Sequence, residues 1–93
     1  MITYKTKNIE SVLSKKGFQV RHGSKHKIYT LHIDESKTTI YTFISHGIKE
    51  YGDSLLSKMR GQLKLSHEEF DGVMSCPIDK EELARIYSEK GLI

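Results

Sequence analysis

Tryptophan is absent from this chain, and proline and cysteine occur once each. A lone cysteine, Cys76, excludes an intramolecular disulfide framework and cannot by itself hold a metal ion. No apolar run approaches the roughly 18–20 residues that span a bilayer, so no membrane partner is expected. Met1-Ile2-Thr3-Tyr4-Lys5 lacks the apolar stretch of a signal peptide. The expected setting is cytoplasmic and reducing. Internal repeats and low-complexity segments are also missing.

What is present fits one small domain over residues 1–93, because typical domains hold roughly 100–150 residues. A chain of this size buries only about 60–65% of its unfolded surface, so its core must be one layer of sheet covered by a few helices. Hydrophobic residues make up 37% and charged residues 29%, ordinary proportions for a globular protein. The net charge of +3 is unevenly spread. Residues 1–27 hold seven Lys or Arg against one acid, a net +6. Residues 28–66 hold five against four, a net +1, and residues 67–93 hold three against seven, a net −4. A basic first block beside an acidic tail points either to a polyanion-facing surface on the first block or simply to solubilising lysines.

Thr6 or Asn8 can cap a first helix from about Lys7 to Lys16, with Ile9, Val12 and Leu13 as its apolar stripe. Gly17 after Lys15 and Lys16 is the expected stop. Phe18 to His22 alternates apolar and polar residues and predicts a half-buried strand. Gly23-Ser24-Lys25 is a turn. Lys27 to Ile33 is a second strand, with Tyr29, Leu31 and Ile33 on one face and Ile28, Thr30 and His32 on the other. Asp34 to Lys37 fits a hairpin loop, and the β-branched and aromatic run Thr38 to Ile44 a third strand. Short connections make the three an antiparallel meander. A second helix is expected over Ser54 to Gln62 with Leu55, Leu56, Met59 and Leu63 inward. Ser66 and Glu69 form a capping-box pattern opening a third helix, which Cys76-Pro77 breaks. Asp79-Lys80-Glu81-Glu82 repeats the pattern for a fourth, ended by Gly91.

The order α-β-β-β-α with a Gly-Ser-x-His turn between the first two strands resembles the HicA family, the small toxins of HicA–HicB toxin–antitoxin pairs. Four stretches carry the likeness: Lys15-Lys16-Gly17-Phe18; Gly23-Ser24-Lys25-His26-Lys27-Ile28-Tyr29; Ser45-His46-Gly47 with Glu50 and Gly52; and Ser54 to Met59 with Leu63 to Ser66. It spans about residues 5–66, and the acidic helices of residues 67–93 form an extension beyond the usual short toxin. The resemblance implies an α+β, double-stranded-RNA-binding-like fold with a three-stranded antiparallel sheet, here followed by two C-terminal helices. It further implies an mRNA-cleaving ribonuclease, with one essential histidine and a HicB-like antitoxin as partner. By motif position that histidine is His26.

RNA cleavage needs a group that accepts a proton from the 2′-hydroxyl or a water, and cations for the phosphate charge. An imidazole, with a reference pKa of about 6.5, suits the first task. His26 follows a Gly-Ser turn at a strand start, beside Lys25 and Lys27, which can hold a phosphate with the turn N–H groups. Ser24 can orient the imidazole or donate to a phosphate oxygen. The bland alternative for His26 is packing at a strand edge. His46, at the end of strand three, is an auxiliary candidate as proton donor or phosphate ligand, or else a polar loop residue. A zinc site from His22, His26, His46 and Cys76 lacks tight ligand spacing, and no cofactor is expected.

Lys5, Lys7, Lys15, Lys16, Arg21, Lys25, Lys27 and Lys49 are the RNA-backbone candidates, each alternatively a solvated surface charge. Double-stranded-RNA-binding folds read A-form shape through phosphates and 2′-hydroxyls. Tyr29 and Tyr41 can stack on bases or pack across strands. For the C-terminal helices three readings stand: they shield the basic face, they dimerise or dock a partner, or they complete the core. The favoured expectation is a metal-independent endoribonuclease acting on mRNA. The competing one is a non-catalytic RNA-binding or adaptor module on the same fold.

Overall fold

Alternation along three consecutive strands decides which sheet face meets the helices. In the computed structural model, which describes residues 3–75 and 77–93, these strands are β2 (Phe18–His22), β3 (His26–Ile33) and β4 (Ser36–Ser45). They follow β1 (Tyr4–Lys5) and α1 (Thr6–Lys15), and precede β5 (Glu50–Tyr51), α2 (Asp53–Leu63), α3 (His67–Met74) and α4 (Lys80–Glu89). The protein is thus α+β, with a three-stranded antiparallel sheet in the order β2-β3-β4 and four helices among the described residues.

Register pairs Phe18 with Leu31, Val20 with Tyr29, and Tyr29 with Thr42. Side chains of one parity therefore share a face, and Tyr29, Leu31, Ile40 and Ile44 are buried on it. Ile9 and Leu13 of α1 and Leu56, Met59 and Leu63 of α2 join the same core. The β3–β4 connection is tighter than the four-residue loop expected from the sequence. Asp34 and Glu35 alone make the turn, both at positive φ (51° and 67°). That is the geometry a two-residue hairpin needs to match the strand twist. Strand β4 consequently begins at Ser36 rather than Thr38.

Helix α1 starts one residue earlier than expected, with Lys5 at the N-cap and no side-chain cap. Thr6 does not cap it, because its hydroxyl donates instead to the Ile48 carbonyl at 2.6 Å. Its N–H donates to Lys49 O at 2.8 Å. These bonds accompany a two-residue ladder, Tyr4 opposite Tyr51 and Lys5 opposite Glu50, that no local sequence pattern predicts. Gly17 does end α1, at φ 99°, a value that a side chain would strain. Its carbonyl receives His32 N–H at 3.0 Å, tying the helix end to β3.

The C-terminal helices are part of the core. Phe70, Val73, Leu83 and Tyr87 are at most 1% exposed and belong to the cluster formed by the sheet and the first two helices. The Tyr87 hydroxyl donates to the carbonyl of Leu63, the last residue of α2, at 2.6 Å in a buried setting. Ser66 and Glu69 form the expected reciprocal capping box, whereas at α4 only half of the expected box forms: Asp79 accepts from Glu82 N–H, and the Glu82 carboxylate bonds Arg85 instead. Three acids of this segment pair within it, Glu69 with Lys90, Glu82 with Arg85 and Asp71 with His67, and Asp71 also accepts from the Tyr4 hydroxyl at 3.3 Å. These helices therefore complete the core. The expected break at Cys76-Pro77 falls partly on Cys76, which lies outside the described residues. No described helix is long and apolar enough to cross a membrane.

Candidate nucleic-acid interface

The Gly23-Ser24-Lys25 turn is closed by its own backbone: Gly23 N–H donates to His26 O at 2.8 Å. It is braced from the far end of β4. His46 N–H reaches Lys25 O at 3.4 Å, and the His46 ring Nε2 lies 3.2 Å from Gly23 O. A carbonyl only accepts, so in that contact Nε2 carries the hydrogen. His46 thus joins the turn, and its ring acts there as a brace rather than as a free proton donor or phosphate ligand. Ser24 and Lys25 stand exposed in the turn.

His26 opens β3 opposite Ser45 and is exposed. Its ring lies edge-on to Phe43, with centroids 5.9 Å apart. It lines a cleft of about 280 Å³ where α2 crosses β4, together with Phe43, Ser45, Tyr51, Lys58 and Gln62. Two hydrogen bonds shape the cleft wall. Thr42 Oγ1 donates to Gln62 Oε1 at 2.6 Å, and the Tyr51 hydroxyl accepts from Ser45 N–H at 3.2 Å. The arrangement offers a solvent-accessible imidazole, a cation on α2 and an amide, the elements that a phosphodiester would engage.

Lys27 is not beside His26. Consecutive strand residues face opposite sides, and Lys27 shares the Tyr29 side. There its Nζ donates to Glu10 Oε2 at 2.8 Å, and the Tyr29 hydroxyl donates to the same oxygen at 2.8 Å. Burial pushes the Glu10 carboxyl up, yet the Lys27 and Tyr29 hydrogen bonds and the Lys27 and His22 charges outweigh it and hold it below its ordinary value. Burial, then the Glu10 hydrogen bond and charge, push the Tyr29 hydroxyl well up. Tyr29 is 4% exposed, so it cannot stack on a base. Lys16 is 6% exposed and is likewise withdrawn from any backbone contact in this fold.

The remaining candidates divide by location. Lys5, Lys7 and Lys15 are exposed on the N-terminal strand and α1, and Lys49 precedes β5. Arg21 lies on the opposite sheet face, with Ile28 as its register partner. That face carries a shallow concavity of about 640 Å³ whose lining includes Arg21, Ile28, Lys37, Tyr41 and Phe43. Lys37, Phe43, Lys58 and Gln62 belong to no site motif in the sequence. Strand parity signals the first two, since they alternate with the buried Ile40, Thr42 and Ile44. Nothing local signals the α2 pair, whose position depends on how the helix crosses the sheet. Among the described residues no three His, Asp or Glu side chains gather as a metal ion would require. No protein-family model, curated protein or solved structure matches this chain.

Proposed function

We propose that the chain is a HicA-like ribonuclease, an mRNA interferase of a type II toxin–antitoxin pair on a double-stranded-RNA-binding-like fold, with His26 as its general acid or base. The observation that carries this reading is the exposed His26 ring at a cleft that also holds Lys58, next to a turn carrying Lys25. Support also comes from the order α1-β2-β3-β4-α2 with Gly23-Ser24-Lys25-His26 joining β2 to β3.

In this chemistry the imidazole takes a proton from the attacking 2′-hydroxyl or water, or returns one to the leaving 5′-oxygen. Lys25 and Lys58 balance charge that develops on the phosphate oxygens. His46 holds the turn through Gly23 O and so fixes the backbone at His26. A HicB-like antitoxin would neutralise the activity.

The second reading, a non-catalytic RNA-binding or adaptor module, is favoured by the same His46 contact. It ties the auxiliary imidazole to a carbonyl and leaves His26 as the imidazole lining the cleft. Induced expression in bacteria separates the two. The ribonuclease reading expects growth arrest and mRNA loss with the wild type, abolished by His26→Ala and relieved by a HicB-like protein encoded next to this chain. Equal growth with both forms supports the adaptor instead.

A further inference from the structure

The sheet face turned away from the helices is built for a flat, anionic ligand. Alternation places Arg21 of β2, Ile28 of β3, and Lys37, Tyr41 and Phe43 of β4 on it, with His26 at one end. Tyr41 is 45% and Phe43 38% exposed. Their rings meet edge to face at 5.4 Å, and Phe43 meets His26 at 5.9 Å, so three rings run in a row that ends at the candidate catalytic imidazole. None of the positions of this parity on β2, β3 or β4 is Asp or Glu, whereas Arg21 and Lys37 are cations. Exposed rings interleaved with cations and free of acids complement unpaired nucleotides, whose bases stack on the rings while their phosphates meet the cations. A duplex keeps its bases stacked internally and presents phosphates and 2′-hydroxyls, so the rings would contribute nothing to it.

We propose that this face binds unpaired RNA, with bases on Tyr41 and Phe43 and phosphates at Arg21 and Lys37, and leads the strand to His26. The last clause rests on the ribonuclease reading; binding to the face does not.

The test is fluorescence anisotropy with the full chain carrying His26→Ala, using a labelled single-stranded RNA and the same sequence as a duplex. The single strand should bind at least about tenfold more tightly. Tyr41→Ala and Phe43→Ala should each weaken it by about 5- to 100-fold, the range for loss of one stacked base, while Phe43→Tyr, which keeps the ring, should not. Arg21→Ala should lower the slope of log affinity against log salt by about 0.7. Arg85→Ala, a charge-matched change on α4, should leave it unaltered. Circular dichroism checks folding, and Tyr41→Ala, at the more exposed position, keeps the test valid if Phe43→Ala unfolds. Equal affinity for duplex, or ring variants that bind like the parent, would overturn the proposal. So would ring variants that turn a dimer into a monomer with RNA affinity intact, which would assign the face to a second copy. Wild-type cleavage independent of both rings defeats this proposal alone. Ring-dependent binding by a wild type that never cleaves defeats the ribonuclease reading alone.

Discussion

Leu83→Ala tests whether the sheet and the acidic C-terminal helices share one core. Leu83 is fully buried on α4, in the cluster that includes Leu31 and Leu63. Truncating a buried leucine to alanine costs about 2–5 kcal/mol, from the lost transfer energy and the cavity left behind. At about 0.05–0.15 kcal/mol per residue, a chain of 93 residues has about 5–14 kcal/mol in total. The substitution therefore removes a large share of it. With roughly 4–8 °C of melting temperature per kcal/mol in a domain of this size, the midpoint should fall by at least about 8 °C. Guanidinium and thermal melts followed by circular dichroism give the global value, and hydrogen exchange of the Tyr29 and Leu31 amides reports on the sheet. Both should drop together. If α4 loosens while the β3 amides keep their protection, the helices form a separate unit and the single-core reading is wrong.

Two further outcomes follow from single features. Gly17→Ala places a Cβ 3.3 Å from His32 O at φ 99°, so it should destabilise by about 1–3 kcal/mol, read as a shift in the denaturant midpoint with unchanged slope. The carboxyls of Glu69 and Glu10 both lie below their ordinary value of 4.5. For Glu69 the Lys90 hydrogen bond is the main cause, followed by that from Ser66 N–H. A carboxyl depressed in the folded state contributes stability that is complete above its unfolded pKa and is lost as pH falls through the folded one. Stability should therefore decline as pH falls below about 4.5, and Glu69→Gln should flatten that decline in melts across the acid range. An unchanged acid slope in Glu69→Gln would contradict the assigned pairing.

Much of the architecture follows from local pattern. The apolar stripe Ile9, Val12, Leu13, the stop at Gly17 and the Ser66–Glu69 box each have a local physical cause, and each lies where its residues predict. The Tyr4–Lys5 and Glu50–Tyr51 pairing does not, because two-residue strands have no period to read and their ladder depends on tertiary proximity. The same proximity took the Thr6 hydroxyl away from capping α1. At the site, the exposure of His26 follows from its place after a glycine turn. The burial of Lys16 depends on neighbours distant in sequence, and no spacing rule exposes it. Lys27 is a different case. Its parity with Tyr29 and Leu31 already places it on the buried side of β3, and the Glu10 partner explains how a cation is tolerated there.

In the proposed ribonuclease His26 performs chemistry on RNA. Purified wild-type protein and His26→Ala, incubated with single-stranded RNA in the presence of a metal chelator, test it directly. Cleavage by the wild type is expected, with a loss of at least about 100-fold in the variant, the minimum for removing a general acid or base, and with fold and RNA binding retained. Equal cleavage by both proteins, or none by the wild type, would contradict it.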